Sequence, residues 1–105
     1  MPSIRTLPLH TIFLGFVFLL AACASAPVQE MSDARQAIQA AHAAGAERVA
    51  QETLDTARTL LEQAERELES GHYREARRNA LGARAQAVLA REQAEQAPPE
   101  NQQGM

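Results

Sequence analysis

From Ala50 onward the apolar positions recur in a fixed rhythm. Ala50, Leu54, Ala57, Leu61, Ala64 and Leu68 follow one another at alternating spacings of four and three. That is a heptad seam in which alanine and leucine take turns. Val49 and Leu60 widen it, and it predicts a helix from about Glu47 to Ser70. Gly71 ends this helix and His72 sits in the turn. A second seam starts at once: Tyr73, Ala76, Ala80, Ala83, Ala87, Ala90 and Ala94, again with heptad spacing and flanked by Leu81, Val88 and Leu89. Pro98 stops it. The two helices would each be about 35 Å long at ~1.5 Å per residue. Matched lengths and a one-glycine turn predict an antiparallel hairpin.

Upstream, Ala34, Ala37, Ile38 and Ala41 repeat at three and four. Ser32 can cap this shorter helix, with Asp33 in its first turn. Gly45, within Ala43-Ala44-Gly45-Ala46, marks its end or a break. The predicted fold is therefore all-α: a short helix plus a long antiparallel helical hairpin, three helices in coiled-coil-like packing. A tether over 23–30 precedes a helical domain over 31–97, and a polar tail with two adjacent prolines follows over 98–105.

The first 22 residues follow another logic. Arg5 precedes an apolar run, Ile12 to Leu20, too short for a comfortable membrane span of ~20 residues. It has the length of a signal-peptide core. Ala21, Ala22 and the only cysteine, Cys23, come next. Leu20-Ala21-Ala22-Cys23 resembles a bacterial lipobox, which implies cleavage between Ala22 and Cys23. It also implies S-diacylglyceryl and N-acyl modification of Cys23. A secretory signal or anchor helix with a chance cysteine is the competing reading. Ala24 follows Cys23 where aspartate would retain a lipoprotein in the inner membrane. By resemblance to that sorting rule, the expected address is the periplasmic face of the outer membrane.

Composition narrows the chemistry. Apolar residues make up 46% of the 105-residue chain, aromatics only 4%, and alanine about a fifth. A core built from alanine is thin and brings backbones close. Every basic residue is arginine, which excludes lysine nucleophiles and Schiff bases. One cysteine excludes an internal disulfide, and a net charge of −3 argues against nucleic-acid binding. Charge is biased between the helices: acidic from Glu47 to Glu69, arginine-rich from Arg74 to Arg91. That opposition favours pairing across the seam.

No catalytic, metal or cofactor set emerges. His42 and His72 stand in different segments with no cysteine nearby, and read as a solvent-facing helical histidine and a turn histidine. Glu62, Glu65 and Glu69 share a face with Arg66 and read as a solvated surface. The residues singled out are Cys23 for lipidation and, for packing, Leu54, Leu61, Leu68, Tyr73, Ala76, Ala80, Ala83 and Ala87.

Two resemblances add expectations. Leu68-Glu69-Ser70-Gly71-His72-Tyr73-Arg74-Glu75-Ala76, followed by Ala80, resembles the helix junction of tetratricopeptide repeats. The helices here are nearly twice as long, and no second copy follows at the ~34-residue period. The mature region, about Met31 to Gln96, is similar to a domain-of-unknown-function family of alanine-rich helical lipoproteins. It matches in Ala34-Arg35-Gln36-Ala37-Ile38, the Ala-Gly-Ala break at 44–46, the heptads and Gly71-His72-Tyr73. That family implies an envelope location with cell-wall neighbours and carries no known active site. The function expected is a non-catalytic, lipid-anchored helical interaction module. Its partners would be the membrane, through the lipid, and an envelope protein or peptidoglycan. A homo-oligomeric coiled-coil spacer is the alternative.

Overall fold

The computed structural model describes residues 25–98; Cys23, the lipobox and the tail from Pro99 lie outside them. The described residues form four helices: α1 (Val28–Ala43), α2 (Ala46–Val49), α3 (Gln51–Glu69) and α4 (Tyr73–Gln96). The described residues contain no strand, so the chain is all-α. Helices α3 and α4 form the expected antiparallel hairpin and share the largest contact. Helix α1 packs mainly on α4 and runs parallel to it: Glu30 meets Arg77 near one end, and Ala41 meets Ala90 and Ala94 near the other.

The core is the alanine seam. Among the described residues the core is twelve buried alanines with Met31 and Leu54, and Pro27 is buried beside them in the chain before α1. Ala76, Ala80, Ala83, Ala87, Ala90 and Ala94 of α4 are all fully buried. Leu54 fills one end of the bundle with Ala41, Ala46, Ala50, Ala90 and Ala94. Met31, Ala64 and Ala80 fill the other, with Leu61 and Leu68 against them. Large side chains from α1 and α3 thus lie over small ones on α4, which is how thin layers interdigitate.

The hairpin turn is a Schellman motif. The His72 N–H reaches the Glu67 carbonyl at 2.8 Å and the Gly71 N–H reaches that of Leu68 at 3.1 Å, satisfying carbonyls the helix end would orphan. Gly71 has φ +80°, a left-handed conformation that costs a non-glycine residue about 1–2 kcal/mol. Space around it is open, so backbone strain alone decides the outcome there. Gly82 offers the opposite case. It lies inside α4, and a Cβ there would sit 3.4 Å from a Leu60 methyl, an ordinary contact. Thermal melts should therefore show Gly71→Ala destabilised by about 1–2 kcal/mol and Gly82→Ala stabilised by up to about 1 kcal/mol through helix propensity.

Three expectations need correction. Ser32 does not cap the first helix. The helix starts at Val28, with Pro27 at the N-cap, so residues 28–30, assigned to the tether, are helical. Tertiary burial favours it: Pro27 and Met31 are fully buried, and the Met31 N–H donates to the Pro27 carbonyl at 3.1 Å in the first turn. Second, the helix expected from Glu47 to Ser70 is interrupted at Ala50, with φ −139° and ψ 40°. The kink puts Ala46, Ala50 and Leu54 into one cluster and closes the bundle end. Third, Tyr73 begins α4 but is 41% exposed and stands outside the buried row.

Candidate functional site

Of the packing residues singled out from sequence, Leu54, Ala76, Ala80, Ala83 and Ala87 are fully buried, and Leu61 and Leu68 are half-buried at the seam edge. Cys23 and Ala22 lie outside the described residues. Ser25, two residues after Cys23, is held by Arg77: a guanidinium nitrogen donates to the Ser25 carbonyl at 2.9 Å. The Nε of the same side chain donates to Glu30 at 3.2 Å. This clasp ties the entry of the chain to the first turns of α4. Asn79 and Glu67 bind across the hairpin nearby, with contacts of 3.0 and 2.8 Å. Arg35 of α1 pairs with Glu65 of α3 at 3.0 Å, so one member of the acidic face is a link between helices.

At the opposite end, His42 is not merely solvent-facing. Its Nδ1 lies 3.1 Å from Glu47, which also accepts from Arg58 at 2.9 Å; Arg58 in turn reaches Asp55 at 3.4 Å. This network spans the Gly45 turn. The Arg58 hydrogen bond, with the positive charge of His42 adding to it, holds the Glu47 carboxyl below its ordinary value of 4.5. A carboxylate depressed on folding stabilises above its unfolded pKa, and the contribution is lost as pH falls from about 4.5 through the depressed value. Following Glu47 by NMR titration should give a midpoint below 4.5 that returns towards it in Arg58→Gln. His72 occupies the N-cap of α4, where its carbonyl accepts the Ala76 N–H at 2.9 Å.

Between α1 and α4 runs a shallow open groove of about 360 Å³, bordered by Asp33, Ala37, Ala40, Arg84, Val88 and Arg91 among others. Its walls mix alanine with opposite charges. Among the described residues no polar or charged side chain is buried, and no group of His, Cys, Asp and Glu could hold a metal ion. No described helix is long and apolar enough to cross a membrane.

Sequence reasoning missed the Arg77 clasp, because nothing in a heptad pattern says where the segment before α1 will lie. It also treated Leu81, Val88 and Leu89 as flanks of the seam, although they are 48%, 43% and 42% exposed. The available signal was a second apolar stripe, Leu81-Ala85-Val88, beside the alanine row of the same helix.

The geometry defines a small helical module with an alanine core. The chain belongs to the family described as a domain of unknown function (DUF4398), which matches residues 29–104. No curated protein and no solved structure matches it.

Proposed function

We propose that this chain is a bacterial lipoprotein, cut before Cys23 and acylated there, whose bundle serves as a non-catalytic docking module close to the membrane. The address is the periplasmic face of the outer membrane, and the partner is an envelope protein or peptidoglycan. The observation that carries the reading is the clasp at the chain entry. Ser25 is bound by Arg77, only two residues beyond the cysteine of Leu20-Ala21-Ala22-Cys23. With α1 starting at Val28, the four residues from Ala24 to Pro27 reach at most ~14 Å at ~3.3–3.6 Å each. The sequence alone suggested a longer leash.

An acyl chain contributes ~0.8 kcal/mol per buried methylene, and two chains anchor stably. The lipid would therefore hold the clasped end of the bundle at the headgroups, while the His42–Glu47–Arg58 end points elsewhere. The test is Cys23→Ser in cells fed a labelled fatty acid. The wild-type chain should incorporate label and sediment with outer membranes; the variant should do neither and should keep its signal segment. A variant that is still cleaved and still membrane-bound overturns the proposal.

A further inference from the structure

Helix α4 carries a second apolar face. Leu81, Val88 and Leu89 are nearly half exposed, and Ala85 lies exposed among them. The buried alanine row of α4 already packs on α1 and α3, so this outer face has no partner within the described bundle. Leu81, Arg84, Ala85 and Val88 border a shallow open depression. Their spacing of three, four and seven from Leu81 is that of the four residues that form a hole for a knob from a facing helix. A helix is therefore the shape this depression fits.

We propose that the helix is α4 of a second copy, antiparallel to the first about a two-fold axis beside Ala85. The charges on the face select this partner. Counting outward from Ala85, Leu81 and Leu89 stand four residues away on either side, Arg78 and Glu92 seven, and Arg74 and Gln96 eleven. All six are exposed. An antiparallel pairing centred on Ala85 sets Leu81 against Leu89 of the second copy, and Arg78 against Glu92 of the second copy. Each contact occurs twice, as an isologous interface requires. A parallel pairing sets Arg78 against Arg78 and Glu92 against Glu92, which opposes association. Within the chain, neither Arg78 nor Glu92 has an ion-pair partner among the described residues. Ala85 at the axis lets the backbones approach. The outward face of α3, with Gln51, Glu52, Asp55, Thr56, Thr59, Glu62 and Gln63 exposed, offers no apolar row to compete.

This pairing has a consequence for the anchored state that rests on lipidation at Cys23. Because α1 and α4 run parallel, the two chain entries would lie at opposite ends of the α4 pair. Two anchored copies would then lie along the bilayer instead of standing on it. The pairing itself does not depend on the lipid.

Sedimentation of the full chain in density-matched mild detergent, over a range of concentrations, tests it together with Arg78→Glu, Glu92→Arg and the double exchange. Dichroism should be unchanged in all three, since both residues are exposed. The wild-type chain should dimerise. Each single reversal should raise the dissociation constant at least about tenfold, and the double exchange should bring it back to within about threefold, as expected for a close charge pair. A wild-type chain that stays monomeric at every concentration overturns the proposal, whatever the fate of Cys23. So does a dimer that the single reversals leave unchanged, and so does one that the double exchange fails to restore.

Discussion

Leu54→Ala should leave the domain largely unfolded at room temperature. Leu54 is fully buried, and its cluster partners Ala41, Ala46, Ala50, Ala90 and Ala94 are all alanines. Those buried neighbours have no side-chain length to lend, and the longer Ile38 and Val49 pack against the cluster only from its partly buried margin, so the space a removed isobutyl group leaves is poorly filled. Leu→Ala changes in cores cost about 2–5 kcal/mol, more where the site cannot collapse. A single core of this size rarely supplies more than about 3–5 kcal/mol in all. Urea titration by circular dichroism should show the loss of most or all of the folded baseline. Leu81→Ala, on the exposed face of α4, should stay within about 0.5 kcal/mol of the wild type. Equal stability of Leu54→Ala and the wild-type chain would mean that the alanine layers alone hold the bundle.

The second large effect comes from adding volume instead of removing it. Ala80 sits fully buried with Met31 and Ala64 at the meeting point of α1, α3 and α4, and Leu61 and Leu68 press against the same cluster. Ala80→Leu should cost about 1–3 kcal/mol through forced displacement of packed helices. Helix α1 should suffer first, because its contact with α3 is the smallest among the three long helices and the Arg35–Glu65 pair that joins them is exposed, worth only about 0–1 kcal/mol. The check is hydrogen exchange along α1 compared with the α3–α4 turn. Protection should fall in α1 first; uniform loss, or none, would contradict this account of the packing.

The two substitutions probe one design from opposite sides. Alanine rows bring helices close, and close helices tolerate neither a lost leucine nor a new one. The exposed leucines of α4 lie outside this constraint, so their substitution separates any self-association from folding.

Much of this was legible in the residues themselves. The heptad seams of α3 and α4 and their antiparallel pairing follow from spacing, because alternating apolar steps of four and three have no other regular solution than a buried helical stripe. The stops at Gly45 and Gly71 follow as well, since a positive φ at a helix end favours glycine; both residues adopt it. Local rules failed where burial overrode them. Ser32 is a good cap by type, yet the buried Pro27 and Met31 carry the helix past it. Ala50 is a good helix former, yet the chain kinks there so that Ala46 and Leu54 can share a cluster. Tyr73 keeps the heptad spacing, yet at the first position of α4 it stays 41% exposed.

The sequence by itself thus determined the two long helices of the hairpin, the order of the helices, the alanine seam and the position of the cysteine, because each depends on periodicity or on neighbours along the chain. Only the tertiary structure decided that α1 runs parallel to α4, that Arg77 binds Ser25 and Glu30, that His42 meets Glu47 across a turn, and that a second apolar face of α4 is left open. Each of these joins residues from different elements. Their meeting depends on how three helices rotate about their axes to bury the alanine rows, and no spacing along one chain records that rotation.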